Sequence, residues 1–153
     1  MDLTIVICTY NNQSGVKRLI NSIDALNFKG KILVVNNHAK QHINLDFSGS
    51  ELQINVIRCI DPGLSNARKF GVHHVTTEYL LFMDDDMLFT EFDFFGLVTK
   101  CKTQSIDIFG VSTVHPRLNE IPISFHNKLS YYAIGIYPAD KKIDRPILFG
   151  AGL

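Results

Sequence analysis

The sequence predicts an α/β fold of three layers, with a mainly parallel β-sheet between two layers of helices. Short apolar runs rich in branched residues alternate along the chain with segments whose apolar residues recur at helical spacing. The connections between these segments are short, which is typical of parallel β-α units. Polar clusters follow three of the strands, and open α/β sheets bind their ligands beyond the carboxyl ends of the strands.

Continuous apolar runs such as LTIVIC and YLLFM predict the strands, because a strand buried on both faces does not alternate between apolar and polar residues. Apolar residues at every third or fourth position predict the helices. Asp61 and Pro62 predict the N-cap and the first residue of the second helix. The predicted strands span 3–8, 31–37, 52–58, 79–83 and 106–111, and the predicted helices span 14–27, 62–75 and 91–103.

The pattern changes near residue 115. Four of the five prolines come after it, and the chain stops at the apolar sequence ILFGAGL. We therefore divide the chain into an α/β part over 1–115 and a second region over 116–153. An apolar end of this kind predicts a truncated chain, or a terminus that docks on a second copy or on a partner chain.

Composition excludes several classes of protein. With 153 residues, 46% of them hydrophobic, the chain is long enough for one domain with a core. Fifteen basic residues balance fifteen acidic ones, so no nucleic-acid partner is expected. No apolar run approaches the roughly 18 residues of a membrane span. Three widely spaced cysteines predict reduced thiols and a cytoplasmic location.

The sequence LLFMDDDMLF places Asp84, Asp85 and Asp86 inside an apolar segment. Two like charges about 4 Å apart repel by about 1 kcal/mol in water and about 4 kcal/mol at an intermediate effective dielectric. Two interpretations remain open on these residues alone. One is a solvated turn after a strand, and the other is a site for a hard divalent cation, which prefers carboxylate oxygens.

Arg68 falls on the predicted inner face of the second helix, where an arginine needs an anionic partner. One interpretation is a structural salt bridge, for example to one of the aspartates. The other is a clamp on a ligand phosphate or on the aspartate cluster. The predicted inner stripe consists of Leu64, Ala67, Gly71, Val72 and Val75.

No GxxxxGK[ST] loop, GxGxxG fingerprint or GxSxG elbow is present. The adjacent His73 and His74 lie on the outer part of the second helix, and a solvated pair is expected there. Any phosphate binding would therefore have to use a metal ion held by carboxylates.

The segments TIVICTYNN, ILVVNN, DPGLSNARKFGV and YLLFMDDDM, in this order, resemble the family 2 glycosyltransferases with the GT-A fold. The resemblance covers about residues 3–100 and runs more loosely to 153. It implies transfer of a sugar from a nucleotide-diphosphate sugar to an acceptor hydroxyl, on a saccharide or a lipid-linked saccharide. The 1–115 part would then bind the nucleotide sugar, and 116–153 would begin the acceptor side.

The resemblance also implies roles for single residues. Thr9 and Tyr10 would line the base and ribose pocket, and Asp84 would approach the ribose. Asp86, with Asp84, would hold Mn²⁺ or Mg²⁺ against the diphosphate, and Asp85 would be the variable middle residue of the motif. The implied nucleotide-sugar-binding residues are Thr9, Tyr10, Asn36, Asn37, Arg68, Asp84 and Asp85.

Two features depart from the family pattern. Asn36 and Asn37 stand where the family usually has an aspartate, so the base preference stays open. The carboxylate that serves as general base usually lies beyond the point where this chain stops, and none of Glu120, Asp140 and Asp144 can be assigned that role. The alternatives are a nucleotide-sugar-binding module without transfer activity and, from the architecture, a sugar nucleotidyltransferase. The resemblance also leaves room for a peripheral position at the membrane.

Overall fold

The computed structural model describes residues 1–38, 40, 42–45, 47 and 50–104. They form one parallel sheet of four strands in the order β3-β2-β1-β4, with three helices. The elements in chain order are β1 (Leu3–Thr9), α1 (Gln13–Ala25), β2 (Lys31–Asn36), β3 (Gln53–Arg58), α2 (Leu64–Val72), β4 (Tyr79–Asp84) and α3 (Phe94–Gln104).

The predicted α/β class is confirmed, and so is each predicted strand and helix that falls on described residues, with ends that differ by a few residues. The predicted strand over 106–111 and the region over 116–153 lie outside the described residues, so the division of the chain at residue 115 stays a prediction. The described residues between β2 and β3 contain no helix or strand.

The central strand β1 explains the long apolar run at the start of the chain, because all seven of its residues are buried. The connections through α1 and α2 cross the sheet in opposite directions, and right-handed crossovers therefore place these helices on opposite faces. Val6 and Cys8 share a buried cluster with Ala67 of α2. Each fully buried Val, Leu or Ile side chain contributes about 1.5–3 kcal/mol, so this core is the main stabilising feature of the sheet.

Helix α2 lies unusually close to the sheet at Gly71. A Cβ atom there would be 2.9 Å from Cγ1 of Val6 and 3.2 Å from Cγ2 of Val35. The predicted inner stripe is correct for Ala67 and Gly71, which are buried. It is wrong for Leu64 and Val72, whose side chains are 39% and 44% exposed.

The predicted stripe is also correct for Val75, which is partly buried and packs against the cluster around Val6. Phe70, which lies outside the predicted stripe, packs against the same cluster.

The start of α2 also differs from the prediction. The helix begins at Leu64, and its N-cap is Gly63 with φ 110° and no side-chain cap hydrogen bond. The predicted cap at Asp61 and Pro62 is wrong because the Asn37 side chain holds this loop from β2. Its amide nitrogen donates to the carbonyl oxygens of Cys59 (3.2 Å) and Asp61 (2.6 Å), and its amide oxygen accepts from the backbone nitrogen of Gly63 (2.8 Å).

Among the described residues, no helix combines the length and the apolar character needed to cross a membrane.

Candidate functional site

A cavity of about 460 Å³ opens at the carboxyl edge of the sheet. This is the edge where parallel α/β sheets bind ligands, and the polar clusters predicted to follow the strands meet there. Thr9 pairs with Asn36 across β1 and β2, and Cys8 pairs with Asp84 across β1 and β4. The residues around the cavity are Cys8, Thr9, Tyr10, Asn12, Asn37, Leu64, Ala67, Asp84, Asp85 and Asp86.

Asp84 forms an ion pair with Arg68, and Nη2 of the arginine lies 2.9 Å from Oδ1 of the aspartate. The Arg68 side chain is only 12% exposed, whereas that of Asp84 is 44% exposed. The guanidinium group also lies 5.7 Å from the ring centroid of Phe82, within range of a cation-π contact. Arg68, which needs an anionic partner on the inner face of α2, therefore pairs with the first residue of the aspartate cluster.

Asp85 points away from Asp84, toward the turn between β1 and α1. Its Oδ2 accepts a short hydrogen bond from the Thr9 hydroxyl, and its Oδ1 accepts one from the Asn12 side-chain amide at 3.1 Å. Because neighbouring carboxylates are directed to different partners, they need not face each other. This arrangement reduces the electrostatic repulsion expected between the adjacent aspartates.

Asp86 is exposed and lies at the cavity. Among the described residues its carboxylate has no hydrogen bond or ion pair. No group of three or more His, Cys, Asp and Glu side chains in the described ranges is arranged to hold a metal ion. Mg²⁺ is usually held by one or two carboxylates together with water and substrate phosphates, and the Asp86 carboxylate with the second oxygen of Asp84 fits that donor set.

Tyr10 stands at the rim of the cavity with its side chain 69% exposed. Its ring lies 4.8 Å from the imidazole of His38, centroid to centroid, at an interplanar angle of 57°. An exposed aromatic face at a polar cavity is a surface on which a planar ring can stack. The buried Thr9, by contrast, uses its hydroxyl within the protein.

Asn36 and Asn37, the two asparagines after β2, are 2% and 7% exposed. The Asn37 amide makes the three hydrogen bonds to residues 59–63 described above, and Asn36 Oδ1 accepts from the backbone nitrogen of His38 at 3.1 Å. Asn37 borders the cavity, so a contact with a nucleobase stays a prediction. Its amide has a structural role at the start of α2 in any case.

Cys8 borders the same cavity, and burial raises the pKa of its thiol to about 11. The nearby Arg68 guanidinium partly opposes this shift, while Asp84 and Cys59 add to it. The thiol therefore stays protonated at neutral pH and is a poor nucleophile. All three cysteines are free and buried in the structure.

The structure brings together Thr9, Tyr10, Asn37 and the three aspartates, all predicted from the sequence, with Arg68 bound to the cluster from α2. Asn12 belongs to the polar cluster predicted to follow β1, but no role was predicted for it; its Oδ1 caps α1 by accepting from the backbone nitrogen of Gly15. An asparagine directly before a helical pattern is an N-cap signal and would have drawn attention to it. Nothing in the sequence indicated its bond to Asp85.

A family model described as Glycosyl transferase family 2 matches residues 4–151. The chain therefore belongs to glycosyl transferase family 2, as the motifs implied. Two curated relatives, the pre-mycofactocin glycosyltransferases of two Mycobacterium tuberculosis strains, are each 32% identical over 88 residues. That match covers 56% of this chain and 18% of each relative, so the chain spans about a fifth of their length.

Solved structures of S. aureus TarS have the same fold. TarS 1-349 superposes with a TM-score of 0.57 at 16% identity, over 74% of this chain and 39% of that one. TarS 1-349 in complex with UDP superposes with a TM-score of 0.54 over 74% of this chain and 38% of that one, also at 16% identity. At this level of identity the likeness shows the fold, which is the predicted GT-A type.

Proposed function

We propose that this chain carries the donor site of a glycosyltransferase that moves a sugar from a nucleotide-diphosphate sugar to an acceptor hydroxyl, with a divalent metal ion at the diphosphate. The observation that supports it most is the cavity at the carboxyl edge of the sheet, bordered by Tyr10 and by Asp84–Asp86, in a chain of glycosyl transferase family 2. UDP is the first nucleotide to test, because a TarS structure of the same fold contains it.

The residues of the cavity divide the task between them. The exposed ring of Tyr10 offers a stacking surface for the base, and Asp84 offers its exposed carboxylate edge to the ribose while Arg68 holds the other edge. Asp86, with Asp84, would hold Mn²⁺ or Mg²⁺. The ion would supply positive charge to the diphosphate and so stabilise it as a leaving group.

Charge supports the metal ion as part of this proposal. Three carboxylates border the cavity and, among the described residues, only that of Asp84 forms an ion pair, with Arg68, so the described part of the site has an excess of negative charge. A diphosphate would add to that excess. A hard divalent cation is the ordinary way for a protein to place carboxylates and phosphates side by side.

A calorimetric titration of UDP, GDP and TDP, each with and without Mn²⁺, tests the donor site. We expect saturable binding of UDP that tightens when Mn²⁺ is added, and the affinities of GDP and TDP measured in the same way give the base preference. Absence of binding to all three nucleotides would refute the proposed donor site. Binding of equal strength with and without Mn²⁺ would refute the role given to the metal ion.

A nucleotide-sugar-binding module without transfer activity is the second candidate. The observation that favours it is that the acidic side chains at the cavity, among the described residues, are Asp84, Asp85 and Asp86 alone. The first two have protein partners and the third is proposed as the metal ligand, which leaves no general base in that set. Release of UDP from a UDP-sugar only when an acceptor saccharide is present would exclude this candidate.

A further inference from the structure

The middle aspartate of the cluster borders the cavity, but its carboxylate is bound to the protein. Both oxygens of the Asp85 carboxylate accept hydrogen bonds, one from the Thr9 hydroxyl and one from the Asn12 amide. Thr9 is 4% exposed and Asp85 is half-buried, so this contact is partly buried. A carboxylate with both oxygens bound in this way is poorly placed to act as a ligand.

The two partners of Asp85 are themselves held in place. The backbone nitrogen of Asn12 donates to the Thr9 hydroxyl at 3.2 Å, and the Asn12 amide oxygen accepts from the backbone nitrogen of Gly15 at 3.1 Å. The Asn12 side chain therefore presents its acceptor to the helix and its donor to Asp85. One asparagine thus joins the start of α1 to the end of β4.

Backbone packing supports the same connection. A Cβ atom at Gly15 would lie 2.5 Å from the backbone oxygen of Asp85 and 2.3 Å from the amide nitrogen of Asn12. Such distances exclude any side chain at this position without movement of the backbone. The first turn of α1 is therefore in direct contact with the aspartate segment, 70 positions later in the chain.

We infer that Asp85 is a positioning residue, which through Thr9 and Asn12 fixes the direction of the flanking Asp84 and Asp86. The part of this inference that concerns metal binding rests on the proposed function. Without the hydrogen bonds from Thr9 and Asn12 to Asp85, residues 84–87 would be held by the ion pair of Arg68 with Asp84 and by the turn hydrogen bond from the Met87 backbone nitrogen to the Asp84 backbone oxygen (3.2 Å). The hydrogen bonds of Asp85 to Thr9 and Asn12 would thus keep the carboxylates of Asp84 and Asp86 in fixed directions.

The matched variants Thr9→Val and Thr9→Ser test this inference. Valine keeps the shape of threonine and removes the hydroxyl, whereas serine keeps the hydroxyl. Amide hydrogen exchange, measured without nucleotide or metal, reports local opening of residues 84–87. We expect exchange of the Met87 amide to become about tenfold faster in Thr9→Val, because a hydrogen bond to a charged group is lost, and to change little in Thr9→Ser.

The same variants are then titrated with UDP, with and without Mn²⁺. For each variant we take the ratio of the UDP affinity with Mn²⁺ to the UDP affinity without it. A direct contact between Thr9 and the nucleotide would change both affinities equally and would leave this ratio unchanged. We expect that ratio to fall toward one in Thr9→Val and to be restored in Thr9→Ser.

Unchanged exchange at Met87 in Thr9→Val would overturn the inference. Exchange that rises equally at Met87 and in the paired strands β1 and β2 would also overturn it, because the effect would then be a general loss of stability. If the wild-type chain shows no effect of Mn²⁺ on UDP affinity, the proposed metal site fails, but the exchange experiment still decides whether Asp85 holds the segment.

Discussion

At the scale of single residues, the ion pair between Arg68 and Asp84 stabilises the fold and also positions a carboxylate at the candidate site. The arginine is largely buried, whereas the aspartate is nearly half exposed. Desolvation of the arginine is tolerable because the aspartate lies 2.9 Å away. The pair also holds one carboxylate oxygen away from solvent and leaves the other at the cavity.

We expect Arg68→Ala to lower the free energy of unfolding by about 1.5–3 kcal/mol, the range for a lost hydrogen bond to a charged group, and to weaken UDP binding as well. Urea unfolding measures the first effect and calorimetry the second. Lys69→Ala is the matched control, because Lys69 is the next residue of α2 and is exposed. Loss of stability with full UDP affinity would show that Arg68 has only a structural role.

The sequence predicted which residues form the site better than it predicted the contacts that each of them makes. The helical spacing of α2 indicated that Arg68 needs an anion, and the aspartate cluster was a named alternative. Asp85 was taken for the variable middle residue, yet its side chain binds Thr9 and Asn12, which lie more than 70 positions earlier. A contact between residues so far apart depends on how β1 and β4 pair, and no local pattern contains that information.

At the scale of elements, the close approach of α2 to the sheet depends on the missing side chain of Gly71. An alanine there would favour the helix by about 1 kcal/mol, but its methyl group would press on Val6 and Val35, whose branched side chains have little freedom to move. Overpacking of this kind costs about 1–3 kcal/mol, so the clash outweighs the gain.

We therefore expect Gly71→Ala to lower the free energy of unfolding in urea by up to about 2 kcal/mol, the difference between these opposing effects. Ser65→Ala is the control, since Ser65 lies on the exposed part of the same helix, and it should leave stability unchanged or raise it slightly. A Gly71→Ala variant as stable as Ser65→Ala would mean that α2 does not contact the sheet as described.

Elements were easier to predict than their ends. Buried strands and amphipathic helices have local periodicities, and these gave the order of all elements on the described residues. The start of α2 was missed because the Asn37 amide, 26 positions before Gly63, binds the loop at three points. An Asp-Pro pair is a reasonable local start signal, but the hydrogen bonds of a buried amide prevailed over it.

At the scale of the whole molecule, the fold places the ends of β1, β2 and β4 at one edge, and the cavity lies there. Membership of glycosyl transferase family 2 agrees with that geometry. The sequence predicted this edge because parallel strands place their carboxyl ends together.

The most direct test of the central claim is a calorimetric titration of UDP with and without Mn²⁺ on the wild-type chain, Asp86→Ala and Glu91→Ala. Glu91 is an exposed acidic residue that does not border the cavity, so it controls for the loss of one negative charge. We expect Mn²⁺ to tighten UDP binding by about tenfold or more, equivalent to at least about 1.4 kcal/mol, in the wild type and in Glu91→Ala but not in Asp86→Ala. An equal effect of Mn²⁺ in all three proteins would contradict the assignment of Asp86 as the metal ligand of a donor site.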